Sequence, residues 1–178
     1  PFCPLGWEHL ANEDEVVPIA EGVTLSQPFV VAAMLEALQL RGGERVLDVG
    51  SGTGFTTALL CRLASMVCAI ESDAAVARAA EERLATLGLR KFAIRQGDGW
   101  LGWPELAPFD AILVSGSVPE PPPELLAQLA PGGRLVAPVG GYASQELEAW
   151  WRDPDRGPTL SRRLFPVRFV PLVSDERG

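Results

Sequence analysis

The stretch Val46-Leu47-Asp48-Val49-Gly50-Ser51-Gly52-Thr53-Gly54-Phe55 decides the fold. An apolar run ends near an acid, and then glycine occupies every second position. This reads as a buried parallel strand that stops, turns tightly and feeds a helix. Such a turn puts backbone N–H groups and a carboxylate at the carboxyl end of a strand, where open α/β sheets bind ligands. Glycine suits the unusual backbone angles and the close approach of a ligand.

The spacing discriminates among ligands. A dinucleotide fingerprint, G-x-G-x-x-G, would need its last glycine at position 55, which is Phe55. No Gly-Lys-Ser/Thr follows, so the loop is not a P-loop. The form with Gly50, Gly52 and Gly54 behind Asp48 resembles the glycine loop of S-adenosylmethionine (SAM)-dependent methyltransferases. Glu71 ends the apolar run Val67-Cys68-Ala69-Ile70, at the offset where an acid can accept from ribose hydroxyls and would repel a 2′-phosphate. Asp98, in Gln96-Gly97-Asp98-Gly99, follows the strand-like Phe92–Arg95. In a doubly wound sheet the three strand ends would bring Asp48, Glu71 and Asp98 to one cleft. That acidic cleft suits a cofactor carrying an ammonium and a sulfonium and repels a pyrophosphate.

Outward from this loop, βα units alternate. Strands are expected at Arg45–Val49, Met66–Glu71, Phe92–Arg95, Phe109–Val114 and Arg134–Val139. Helices are expected at 27–40, from Gly54 to about Ala64, from about Asp73 to Leu87, and at Glu124–Leu129. Ser26 is placed as the N-cap of the first helix, with Pro28 in its first turn. Pro131-Gly132-Gly133 reads as a turn. Gln145–Arg152 and Leu164–Val173 read as closing strands around the turn cluster Asp153–Pro158. The expected fold is therefore α/β: a Rossmann-like, doubly wound, mostly parallel seven-stranded sheet with helices on both faces and a C-terminal antiparallel hairpin. One domain spans 1–178, with an irregular segment at 1–25 and the strand hairpin at 140–178.

Composition narrows the function. The chain has 178 residues and a net charge of −8, with a single lysine, Lys91. That balance disfavours nucleic-acid binding, which needs a basic stripe. No apolar run is long enough for a membrane span, and no signal peptide opens the chain. Cys3, Cys61 and Cys68 show no C-x-x-C spacing and fit a reducing, cytoplasmic setting. Cys61 and Cys68 read as core residues. The single histidine, His9, lies outside every motif and reads as a surface residue. No metal-ligand spacing occurs, and no Asn/Asp-Pro-Pro-Tyr motif.

Four separated segments carry a more specific likeness. They are Pro18-Ile19-Ala20-Glu21-Gly22-Val23-Thr24-Leu25-Ser26-Gln27-Pro28, the glycine loop, the run from Gly97-Asp98-Gly99 to Phe109-Asp110-Ala111-Ile112, and Pro166-Val167-Arg168-Phe169-Val170-Pro171-Leu172-Val173. Through them the whole chain resembles the protein-L-isoaspartate (D-aspartate) O-methyltransferase family. The resemblance implies methylation of the free carboxylate of L-isoaspartyl residues by SAM, as protein repair, by a monomer needing no metal. It implies that Ser26 is the active-site serine. Asp48, Gly50, Ser51, Gly52, Gly54, Glu71, Asp98 and Gly99 would hold the cofactor, and Val23, Thr24 and Leu25 would border the substrate. Trp100 or Trp103 could cover the adenine. Three departures bear on the substrate. Val23 replaces a usual Gln, Ser115-Gly116-Ser117-Val118 replaces an Ala-rich segment, and the helical segment before Pro18 is largely missing. Two alternatives stay open: a methyltransferase of the same fold acting on another carboxylate, as in peptide tailoring, and a SAM-binding protein without activity.

Overall fold

The computed structural model describes residues 2, 3, 6–10, 13–20 and 23–174; for 8, 18–20, 23–25, 158, 160 and 161 it describes the backbone alone. Strands β1 (Val17–Ala20) and β2 (Val23–Leu25) form a two-stranded antiparallel sheet. Helix α1 (Pro28–Leu38) follows. Then come β3 (Arg45–Val49), α2 (Phe55–Leu63), β4 (Met66–Glu71), α3 (Ala74–Thr86), β5 (Phe92–Gln96) and β6 (Phe109–Val114). Helix α4 (Pro123–Ala127) leads into β7 (Leu129–Gly141), β8 (Ser144–Asp153) and β9 (Gly157–Val167).

The seven-stranded sheet has the order β5-β4-β3-β6-β7-β8-β9. Strands β3 to β7 pair in parallel, and β8 and β9 add antiparallel. Strand β3 pairs with β4 on one side and β6 on the other, so the chain reverses its direction of travel across the sheet there. A crevice opens outside the carboxyl ends at such a switch point. Two cores cover the two faces of the sheet. One gathers Met34, Leu38, Val46, Leu60, Leu113 and Val136; the other gathers Leu47, Val49, Ile70, Phe109, Ile112 and Leu135. Alternate β3 residues feed opposite cores, as the pleat requires.

Helix ends follow local chemistry. The Asp73 carboxylate caps α3 by accepting from the N–H groups of Ala75 and Val76, at 2.7 and 2.9 Å. Gly88, at φ 75°, closes that helix: its N–H reaches the Ala85 carbonyl, and Leu89 N–H reaches that of Leu84. Cys61 and Cys68 are buried, and burial pushes the Cys61 thiol up to about 11. His9 is exposed and stacks on Trp7.

Four local expectations are corrected. The segment 1–25 is not irregular throughout: it holds a 3-10 turn at Glu8–Leu10 and the β1–β2 hairpin. Ser26 does not cap α1. Gln27 is the capping residue, and its side chain makes no cap bond. Asp14 does this work from outside, accepting from Phe29 N–H at 2.8 Å and from Gln27 Nε2 at 3.0 Å. Pro131-Gly132-Gly133 lies within β7 as an irregularity, because pairing jumps from Phe109↔Leu129 to Ala111↔Arg134. The last strand starts at Gly157 and ends at Val167, not at Val173. Beyond it the Gln145 side chain replaces the ladder, accepting from Phe169 N–H and donating to its carbonyl.

Candidate active site

The crevice forms as β3 ends. Gly50 and Ser51 both donate their N–H to the Ile70 carbonyl of β4, at 2.9 and 3.1 Å, and Gly54 N–H donates to the Ser51 carbonyl at 2.8 Å. Gly50, Gly52 and Gly54 adopt φ of 77°, 52° and 82°. All three occupy the left-handed region that a side chain disfavours, which explains glycine at alternate positions. A Cβ on Gly52 would meet nothing within 4 Å, whereas one on Gly54 would touch Ala80 and Leu84 of α3. Gly52 therefore faces open space, and Gly54 lets two helices approach.

The crevice is lined by Gly50, Ser51, Gly52 and Thr53, by Phe55 and Thr56 at the start of α2, and by Glu71 and Ser72 at the end of β4. Ser26 and the Ser115-Gly116 turn after β6 join them. Residues 169–173 form the remaining wall. Glu71 accepts from Gly52 N–H through Oε2 at 2.9 Å, and from Ser72 Oγ and Asp73 N–H through Oε1. These three donors leave about one acceptor position on a carboxylate that offers about four.

The other two predicted acids, Asp48 and Asp98, do not line the crevice. Asp48 is fully buried and does not line the crevice; its Oδ2 accepts from Thr57 Oγ1 at 2.6 Å. Burial drives its carboxyl up to about 7; the Thr57 hydroxyl opposes the shift and the charge of Glu71 adds to it. Asp48 Oδ1 and Ser51 Oγ are buried without a hydrogen-bond partner among the described residues. Two such atoms beside a glycine loop with open space above it fit a polar cofactor that carries amine and hydroxyl donors. Asp98 is half-buried and accepts from Trp100 N–H at 2.8 Å and from Ser174 Oγ at 2.8 Å. Gly99 is buried, and a Cβ there would meet Val49 at 2.7 Å and Leu172 at 3.2 Å.

Ser26 is half-buried at the junction of the crevice with a second hollow. The side chains of Val23, Thr24 and Leu25 lie outside the described residues. Neither tryptophan lines the crevice: Trp100 donates Nε1–H to the Leu172 carbonyl at 3.0 Å, and Trp103 lies under the Arg95 guanidinium at 4.5 Å.

Sequence reasoning passed over several lining residues. Ser115 and Gly116 follow from topology alone, since β6 is the neighbour of β3. Residues 169–173 carry a recognisable motif, but nothing local says that it crosses to the crevice. It is fastened there by Ser117 N–H to the Val170 carbonyl at 2.8 Å, Leu172 N–H to the Ser117 carbonyl at 2.9 Å, and the Trp100 bond.

The chain matches the family described as protein-L-isoaspartate(D-aspartate) O-methyltransferase (PCMT) over residues 1–177. Protein-L-isoaspartate O-methyltransferase 1 of Anaeromyxobacter sp. (strain Fw109-5) is 53% identical over 174 residues, covering 97% of this chain and 82% of the relative. The Methylorubrum populi protein-L-isoaspartate O-methyltransferase is 51% identical, covering 97% and 80%. A solved protein-L-isoaspartate O-methyltransferase superposes with a TM-score of 0.82 at 28% identity; the match covers 96% of this chain and 55%, about half, of that one. A Plasmodium falciparum structure described as a protein-L-isoaspartate O-methyltransferase, in complex with S-adenosyl-L-homocysteine, superposes with a TM-score of 0.75 at 30% identity, covering 90% and 80%. With the glycine loop, the strand-end acids and the match along nearly its whole length, the chain belongs to the protein-L-isoaspartate (D-aspartate) O-methyltransferase family of SAM-dependent enzymes.

Proposed function

We propose that this chain, as one catalytic unit, methylates the free carboxylate of L-isoaspartyl residues in damaged proteins and peptides. The observation that carries this reading is the meeting of two distant segments at one crevice. Ser26 comes from the N-terminal signature and Phe169–Val173 from the C-terminal one, and both line the crevice together with the glycine loop.

S-Adenosylmethionine, when bound, supplies an electrophilic methyl group on a sulfonium. The glycine loop from Gly50 to Gly54 and the remaining acceptor position of the Glu71 carboxylate would hold it, with Asp48 acting from beneath the loop. A substrate carboxylate has an ordinary pKa near ~4 and is already a nucleophile at neutral pH. No general base is needed. The protein has to place that carboxylate in line and exclude water. Ser26, released from helix capping because Asp14 performs it, has its hydroxyl available to orient the carboxylate.

The three free cysteines fit a reducing cytoplasm, and the charge of −8 fits an enzyme that avoids nucleic acid. Among the described residues no helix is long and apolar enough to cross a membrane. We read the chain as a monomer, to be checked by sedimentation. The deciding experiment is transfer of labelled methyl from SAM to an isoaspartyl peptide, beside the same peptide with normal aspartate. Label on the isoaspartyl peptide alone is expected. Label on neither, with SAM bound, would point to another carboxylate or to lost activity.

A further inference from the structure

Three depressions lie side by side on the surface that carries Ser26. The crevice shares Ser26 and Phe169 with a hollow of about 410 Å³. That hollow shares Val167 and Arg168 with a third, of about 230 Å³, which adds Tyr142 and Gln145. Val16, Val30, Pro166 and Val167 give the middle hollow apolar walls. Among the described residues, Arg168 is the only charged one lining the second and third hollows.

Among the described residues, Arg168 makes one charge contact, and it is with an aromatic ring. Its guanidinium lies over the Tyr142 ring, 5.7 Å from the centroid. The two ion pairs among the described residues, Arg95–Glu105 and Arg163–Glu148, do not include it. No described carbonyl or carboxylate accepts from it. A guanidinium carries five N–H donors in a rigid fork that matches a carboxylate. Resting on an aromatic face restricts the side chain in advance, so less freedom is lost when an anion arrives. Against a net charge of −8, this is a local cationic point beside an apolar trough that begins at Ser26.

We propose that Arg168 is a specificity determinant that selects acidic peptides: substrates with a Glu or Asp side chain a short distance to one side of the isoaspartyl residue. The proposal rests on the isoaspartyl reading above. The flanking chain crosses the apolar hollow, and its carboxylate meets the guanidinium at the Tyr142 end.

The test uses fluorescein-labelled isoaspartyl peptides with Glu, Gln or Lys at each of the three positions on either side. Affinity is read by anisotropy and methyl transfer in the same samples. On one side, Glu binds about three- to five-fold tighter than Gln, the size expected of a partly exposed ion pair. The ratio falls to about one in R168Q, survives in R168K, and inverts in favour of Lys in R168E. It shrinks in high salt. Equal binding of the Glu and Gln peptides at every position, or a Glu preference that persists in R168Q, overturns the proposal. An Arg168-dependent ratio without methyl transfer to any peptide overturns the activity and leaves the selection standing.

Discussion

Thr57 Oγ1 donates to Asp48 Oδ2 at 2.6 Å, and both residues are completely buried. The bond joins the first turns of α2 to the end of β3, directly under the glycine loop. A carboxyl in this position is held up to about 7, chiefly by burial. Its ordinary value, 3.8, applies in the unfolded chain. Between about 4 and about 7 the folded state binds the extra proton, so this group's contribution to stability falls as pH rises through that window and is flat above it. The span corresponds to about 4 kcal/mol. Asp48→Asn removes the titration. The variant is expected to gain melting temperature over the parent at pH 8 and to differ little at pH 4.5. Thermal unfolding at the two pH values checks this, and an equal offset at both would refute it.

Thr57→Val leaves the Asp48 carboxyl without its described donor. We expect a loss of about 1–3 kcal/mol, the cost of stranding a buried polar group. Urea unfolding at pH 8 measures it. Thr57→Ser, which keeps the hydroxyl, should recover most of the loss.

Ser26→Ala tests the catalytic assignment. A hydrogen bond to a charged group contributes about 1.5–3 kcal/mol, so turnover should fall about 10- to 100-fold. SAM affinity should stay within about two-fold, because the hydroxyl is expected to meet substrate rather than cofactor. Single-turnover kinetics and equilibrium SAM binding separate the two. Equal losses in both would remove the serine from catalysis. Stability should not change appreciably, since Ser26 caps no helix.

Asp14→Ala removes the cap of α1. The helix then loses the acceptor for Phe29 N–H and the anchor for the Gln27 side chain. The expected cost is about 0.5–2 kcal/mol in chemical denaturation. Asp14→Asn retains an acceptor oxygen and should cost less; a larger cost for Asn than for Ala would contradict the capping role.

Gly116→Ala tests the wall formed by the C-terminal segment. A Cβ there would stand 2.9 Å from Leu172 Cα and 3.1 Å from its backbone nitrogen, so backbone has to move. We expect a loss of about 1–3 kcal/mol and weaker SAM binding, because Leu172 and its neighbours line the crevice. Calorimetry with SAM reads the second effect. Undiminished affinity would show that this wall does not support the cofactor.

Much of this arrangement is local chemistry and was legible without coordinates. The buried runs at Val46–Val49, Val67–Ile70 and Ile112–Val114 specify parallel strands, because strands covered on both faces need continuous apolar residues. Glycines at 50, 52 and 54 specify the left-handed turn, because backbone sterics act within a residue or two. Asp73 and Gly88 mark the ends of α3 for the same reason.

Only the tertiary structure could decide which strand-end acids reach the crevice and what closes it. Glu71 lines it, while Asp48 lies fully buried and Asp98, outside the lining, accepts from Ser174. Ser26 was freed from capping by Asp14, a partner in a different element. Residues 169–173 look like a continuing strand, yet they leave the sheet because Gln145, Ser117 and Trp100 satisfy their backbone elsewhere. Sequence patterning fixes where a backbone must be extended, helical or left-handed. Which distant group meets its N–H and C=O depends on how the whole chain packs, and that settled the shape of the site.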